Sequence, residues 1–236
     1  MNLIVLFESD FVDGTSRVLL TGRRLRHVLD VHHAQVGQTL RVGLLNERRG
    51  RGQITALGND VLEMDVALNE APPPALPVTL LLALPRPKTL KKILQAVTAM
   101  GVKHIVLMNS WRVEKSFWQS PALDDTTLRE QMILGLEQAG DTLLPDIAVR
   151  QRFKPFVEDE VPALSRNTLA LVAHPPASQP CPSNVRTAVT LAVGPEGGFI
   201  PYEVDALRAR GFEVVTLGDR RLRVEHAVPA LLGRLF

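Results

Sequence analysis

The stretch "TLAVGPEGGFIPYE", Thr190 to Glu203, decides how the rest of this chain is read. An apolar, strand-like run ends at Val193, three glycines and a proline follow, and a helix-like run begins at Pro201. Glycines at a strand-to-helix junction let main chain, rather than side chains, approach a ligand. The loop is neither G-x-G-x-x-G nor a phosphate-binding loop ending in Lys-Ser/Thr. Gly194-Pro195 sets a rigid turn, while Gly197 and Gly198 permit positive φ. Pro201 suits a first helical turn. Glu203 and Asp205 beside the positive helix end make a poor anion site, so the expected ligand is neutral or cationic where it meets the loop.

Working outward, the flanking segments alternate between buried strands and amphipathic helices. "VTLLLAL" reads as a buried strand, and "KTLKKILQAVTAM" as a helix with Leu90, Ile93, Leu94, Val97 and Met100 spaced by three and four. "KHIVLMN" is the next strand. A helix around Leu123 to Gln138, a short strand near Ile147 and a helix near Phe156 follow. "TLALVAH", "AVTLAVG" and "FEVVTLG" are the last three strands. This order predicts an α/β domain over residues 78–236. Three strand ends carry unusual loops: "LVAHPPASQPCPSN", "GPEGGFI" and "LGDRRLRVEHAV". Ligands in open α/β sheets bind beyond the carboxyl ends of strands, so the three loops predict one shared pocket.

"APPPALP", residues 71–77, is a stiff proline linker. Ahead of it, residues 1–70 read as a small β-rich domain. "QTLRVGLL" alternates with period two, and "RGRGQITAL" and "DVLEMDVAL" continue the pattern around a "GND" turn. "NERRGRG" reads as an arginine-tipped hairpin. "GRRLRHVLD" reads as one short helix with Arg23, Arg24 and His27 on its exposed side. Small strand-rich barrels with basic loops are common docking modules for single strands or RNA.

With 236 residues, 45% hydrophobic and 22% charged, the chain can bury a substantial core. The net charge of +2 does not announce a nucleic-acid binder, but its distribution is uneven. Between Arg17 and Arg51 lie eight arginines against two acids. The cluster fits either a solvated basic face or a phosphate-backbone footprint. Arg17, Arg23, Arg24, Arg26, Arg48, Arg49 and Arg51 are the RNA-binding candidates, joined by Arg112 in "SWRVEKS". No run reaches the length of a membrane span, and "MNLIVLFESDF" reads as a first strand rather than a signal peptide. A single cysteine, Cys181, excludes an internal disulfide and points to a reducing, cytoplasmic compartment. Set among prolines without a motif partner, it is not read as a nucleophile. No metal-ligand spacing occurs, and the adjacent rings of His32 and His33 diverge.

The segment "GPEGGFIPYEVDALRARGFEVVTLGDRRLRVEHA" resembles the C-terminal signature of the RsmE-type methyltransferases of the knotted SPOUT superfamily. "HVLD" at His27 to Asp30 is similar to an element of that family's N-terminal PUA-like β-barrel. The resemblance implies a SPOUT-type, trefoil-knotted α/β methyltransferase domain behind a PUA-like barrel. It also implies bound S-adenosylmethionine, a homodimer, and methylation of uridine N3 in small-subunit ribosomal RNA. Carried onto this sequence, it implies a cofactor site at Val172, Ala173, Gly194, Pro195, Glu196, Gly197, Gly198, Leu217, Gly218, Leu222 and Arg223.

Methyl transfer to uridine N3 requires loss of the imide proton, which makes Arg223, Glu225 and His226 the catalytic candidates. Arg223 is either the cation that favours the imide anion or half of a structural pair with Glu225. His226 is either a base or a cap for the last helix. Some positions depart from the family pattern. Ala139 and Asp141 stand where serine and arginine are expected, "SWRV" replaces "SERS", and His226 replaces threonine. The departures leave two rivals: the same enzyme class with another RNA target, and a non-catalytic RNA-binding protein.

Overall fold

Two sheets with different residue patterns organise the chain, which a computed structural model describes at residues 3–175, 177 and 179–236, without the side chains of Val31 and His32. The expectation for the His32 ring and parts of the "LVAHPPASQPCPSN" loop therefore lie outside the described residues. One compact unit comprises Met1–Pro74 with Leu136–Leu144, the other Ala75–Gly135 with Pro145–Phe236.

The first unit contains β1 (Ile4–Leu6), β2 (Arg17–Leu20), α1 (Gly22–His32), β3 (Thr39–Leu44), β4 (Arg49–Leu57) and β5 (Leu62–Glu70). Its sheet runs β1-β3-β4-β5-β2, antiparallel except for the parallel β1–β3 pair. Alternation sets the faces: Leu40 and Val42 are buried while Thr39 and Arg41 are exposed. Irregular pairing between Arg49 and Arg51 and between Ile54 and Ala56 bends β4. Gly50 allows that bend, since a Cβ there would lie 1.9 Å from the Ala67 carbonyl oxygen. Ile4, Leu6, Val18, Leu20, Leu25, Val28, Ile54 and Met64 fill the core beneath.

Residues 136–144 belong to this unit through hydrogen bonds that no local pattern announces. Leu3 donates its N–H to the Glu137 carbonyl at 2.9 Å, Asn46 to that of Thr142 at 2.8 Å. The buried Asp141 accepts from the Thr142 and Leu143 amides at 2.6 and 3.0 Å. Asp141 and Glu137 are thus structural acids in this chain, Glu137 meeting Arg23 at 3.1 Å.

The arginine cluster is correspondingly less free than its composition suggests. Sequence reading puts Arg24 on the exposed side of α1; instead it turns inward, donating to Asp10 at 2.7 Å and to the Val5 carbonyl, with its guanidinium 4.6 Å from the Phe7 ring centre. A carboxylate as buried as Asp10 demands such a partner. Arg17 pairs with Glu63, and Arg49 donates to the Gly140 carbonyl at 2.8 Å. Arg26 and Arg51 are exposed and have no acidic partner among the described residues.

The second unit holds β6 (Val78–Ala83), α2 (Pro87–Ala99), β7 (His104–Met108), α3 (Asp125–Ala139, as far as Gly135) and β8 (Asp146–Arg150). A π-helical turn, Phe156–Glu160, separates short α4 (Phe153–Pro155) and α5 (Val161–Leu164). Then come β9 (Leu169–Ala173), β10 (Val189–Val193), α6 (Pro201–Arg208), β11 (Glu213–Val215) and α7 (Val224–Leu235). The sheet is wholly parallel in the order β11-β9-β10-β6-β7-β8. Its central β10 is buried at every residue, as continuous apolar runs covered on both faces must be. Leu90, Ile93, Leu94 and Val97 of α2 pack against it, realising the spacing of three and four.

Register fixes where the unusual loops emerge. Ala173 pairs with both Val193 and Val215, so β9, β10 and β11 end side by side. The chain after β9 then runs along β11: Thr216 donates to Gln179 at 3.0 Å, and Cys181 to Thr216 at 2.8 Å. The end of α7 lies against the same segment through Val185 N–H to Leu235 at 2.7 Å and Arg234 Nε to the Cys181 carbonyl at 3.2 Å. Pro229 is expected to require a last helix that begins near Glu225; α7 begins at Val224, and Pro229 lies inside it, beyond the His226 and Ala227 amides that the Arg223 carbonyl accepts. Among the described residues no helix is long and apolar enough to cross a membrane.

Candidate cofactor cavity

A cavity of about 250 Å³ opens where β9, β10 and β11 end. Its floor is main chain and small or aliphatic side chains: Ala173, Val193, Gly194, Gly198, Val215, Leu217 and Leu222, closed by Val224, Ala227 and Leu231 of α7. Its rim carries Glu196, Arg112, His174, Arg220 and Arg221. The three loops singled out in the sequence therefore meet in one hollow.

The glycines act as that turn requires. A Cβ on Gly194 would lie 3.0 Å from the Phe199 nitrogen and 3.2 Å from the Gly198 Cα, so the loop folds back on itself only with glycine there. Gly198, at φ 71°, adopts the left-handed backbone that side chains disfavour. Pro195 accepts the Gly198 N–H at 2.7 Å, closing the turn. Gly197 leaves room for Arg112, whose guanidinium donates to the Gly197 carbonyl. Arg112, read from sequence as an isolated phosphate contact, is a wall of this cavity.

The acids of the loop are engaged by the protein itself. Glu196 accepts the Arg86 backbone N–H at 3.0 Å, at the start of α2. Glu203 is 2% exposed. Its Oε1 accepts the Trp111 N–H at 2.7 Å, and its Oε2 accepts from Ser110 Oγ at 3.1 Å and Ile200 N–H at 2.9 Å. Glu203 therefore joins the loop after β7 to the start of α6.

Of the expected cofactor residues, Ala173, Gly194, Pro195, Glu196, Gly197, Gly198, Leu217 and Leu222 line the cavity. Val172 is buried within β9, and neither it nor Gly218 nor Arg223 belongs to the lining. Arg223 is the exposed N-cap of α7, its carbonyl accepting the His226 and Ala227 amides at 2.9 and 2.8 Å. Among the described residues the Arg223 side chain has no ion-pair partner, so the structural pair with Glu225 is not formed. Sequence reading missed His174, Thr216, Arg220, Arg221, Ala227 and Leu231. The spacing of Val224, Ala227 and Leu231 by three and four was the available signal. Burial, and then the nearby Arg112 guanidinium, hold the His174 imidazole below its ordinary pKa. Neutral His174 leaves the rim free of one positive charge. The hollow suits a flat apolar ring gripped by main chain, with cationic side chains beside a carboxylate-bearing or phosphate-bearing end.

A cavity beyond the carboxyl ends of the strands is where parallel α/β units bind their ligands, and residues 72–235 match the family model of the RNA methyltransferase domain. The chain belongs to that family. It is 28% identical over 235 residues to a ribosomal RNA small subunit methyltransferase E of Treponema pallidum, a match covering 98% of this chain and 88% of the relative. A Synechocystis protein of the same name is also 28% identical, with 98% and 76% covered. Among solved structures, a ribosomal RNA small subunit methyltransferase E from Neisseria gonorrhoeae bound to S-adenosyl methionine superposes with a TM-score of 0.71 at 22% identity, over 98% and 95% of the two chains. A Legionella pneumophila protein solved with its SAM cofactor gives 0.74 at 22% identity, over 98% and 96%.

Proposed function

We propose that this protein transfers a methyl group from S-adenosylmethionine to N3 of a uridine in small-subunit ribosomal RNA. The glycine-walled cavity at the ends of β9, β10 and β11 carries this reading. Leu217 and Leu222 would pack against the adenine, and main chain at Gly194 and Gly198 would hold it. Arg220 and Arg221 on the rim suit the donor's carboxylate. Bound there, the sulfonium supplies an activated methyl group.

The protein's own task is to prepare the acceptor. N3 of uracil becomes nucleophilic when its proton leaves. Arg223 favours the resulting imide anion at the ring carbonyl oxygens, and His226, in the first turn of α7, takes the proton. Glu225 lies between them in the sequence and is the third catalytic candidate. The exposed Arg26 and Arg51, together with Arg17, Arg23, Arg48 and Arg49, provide backbone contacts on a PUA-like barrel. The reading includes a trefoil knot, supported by the seating of α7 against residues 181–185, a homodimer, and action in the cytoplasm.

Calorimetry with S-adenosylmethionine tests the cavity, followed by methyl transfer to small-subunit ribosomal RNA and mass analysis of its nucleosides. The expected product is 3-methyluridine. Absence of cofactor binding would leave only an RNA-binding role.

A further inference from the structure

A second cavity of about 520 Å³ lies between the loop after β7, α4 and the start of α6, lined among others by Trp111, Tyr202, Phe153, Lys115, Lys154 and Asn109. None of these residues is used in the mechanism above. Trp111 is 79% exposed and Tyr202 55% exposed, an unusual amount of aromatic surface to leave in water. The Trp118 indole N–H donates to Asn109 Oδ1 at 3.1 Å, which fixes the Asn109 side chain and leaves its amide N–H groups without a partner among the described residues.

The charges of the lining sum to a positive value. Its charged residues are Lys115, Lys154 and Glu203, and both oxygens of Glu203 are occupied by three donors. Lys154 lies 4.0 Å from Glu158 in an exposed helical pair, too weak to neutralise it. Exposed aromatic faces beside lysines are the elements that hold a single-stranded nucleic acid, with bases stacked and phosphates neutralised. Lysine is depleted from interfaces between protein chains, which disfavours a second copy as the occupant.

Chain geometry links this cavity to the first. Trp111 and Arg112 are consecutive, yet Trp111 lines the second cavity and Arg112 the first. The Glu203 bond to the Trp111 N–H and the Arg112 bond to the Gly197 carbonyl hold that division in place. Resting on the RNA methyltransferase reading, we infer that Trp111 and Tyr202 form a stacking subsite for an unpaired RNA base flanking the target nucleotide. Lys115 and Lys154 hold the adjoining phosphates, and the Asn109 amide reads a carbonyl on the base edge.

The test compares wild type, Trp111→Ala, Trp111→Phe and Tyr202→Ala, using a fluorescein-labelled uridine nonamer and the same backbone with one abasic position. Loss of a stacked base predicts about 5- to 100-fold weaker nonamer binding for Trp111→Ala, with Trp111→Phe close to wild type. The advantage of the nonamer over its abasic counterpart shrinks in Trp111→Ala, while affinity for S-adenosylmethionine is unchanged. Equal nonamer affinity in wild type and Trp111→Ala overturns the subsite. A Trp111→Ala protein that sediments as a smaller species than wild type also overturns it, since the face would then join copies of this chain. Failure of wild type to bind S-adenosylmethionine counts against the methyltransferase reading and leaves the stacking comparison readable by itself.

Discussion

The carboxylate of Glu203 accepts the backbone N–H of Trp111 at 2.7 Å across 92 residues of sequence. That bond, with those from Ser110 and Ile200, makes a buried side chain the tie between two site-forming loops. Glu203→Gln keeps the shape but replaces one acceptor oxygen by a donor, which then faces a donor already in place. The expected cost is about 1–3 kcal/mol of stability, read by urea unfolding. Cofactor affinity should fall with it, because the start of α6 and the turn at Gly194 to Gly198 are adjacent in the chain. An unchanged unfolding midpoint would show that water replaces the lost acceptor.

Gly194→Ala probes the cavity with little effect on the core. Its Cβ would crowd backbone atoms of Phe199 and Gly198, which cannot swing aside as a side chain tip can. The turn must open by a few tenths of an ångström, and an affinity loss of about tenfold, or 1.4 kcal/mol, is expected for S-adenosylmethionine. The thermal midpoint should move far less than for Glu203→Gln. Calorimetry and a melting curve on the same sample decide it.

How much of this was legible beforehand depends on range. The α2 face, the alternation in β3 and the convergence of three loops follow from periodicity and from strand-to-helix grammar, both local. Glu203 was read as a favourable first-turn acid, because nothing in the sequence says that Trp111, in a distant loop, needs an acceptor. Arg24 looked solvent-facing by helical spacing, whereas the buried Asp10 draws it inward. Residues 136–144 carry no composition signal for joining the first unit, since main-chain pairing such as Leu3 to Glu137 is indifferent to side chain. His174 sits among the prolines of its loop with no motif partner in the sequence to mark it.

Packing between α2 and α3 supplies a third expectation. A Cβ on Gly135 would lie 2.6 Å from the Gln95 carbonyl oxygen and 2.8 Å from Thr98 Cβ. Alanine gains up to about 1 kcal/mol in helix propensity over glycine, but overpacking costs about 1–3 kcal/mol. Gly135→Ala should therefore be destabilising despite its helical setting. Thr98 itself is fully buried with its hydroxyl unpartnered among the described residues. Thr98→Val removes that unpaired group at similar volume, and stability should hold or rise by up to about 1 kcal/mol. Urea titrations of both variants check the two signs together.

His174 gives the pH dependence a definite direction. Burial and Arg112 lower its pKa in the folded protein from the ordinary 6.5. As pH falls through that ordinary value, the unfolded chain takes up a proton that the folded chain still refuses. Stability contributed by neutral His174 is thus complete above the unfolded pKa, and declines as pH drops toward the folded pKa. Protonated His174 would also add a positive charge to the cavity rim, so cofactor affinity should change over the same acidic range. His174→Asn removes both effects. Unfolding free energies and cofactor affinities at pH 7.5 and pH 5.5 should differ more in wild type than in the variant, and equal differences would exclude His174 as the titrating group.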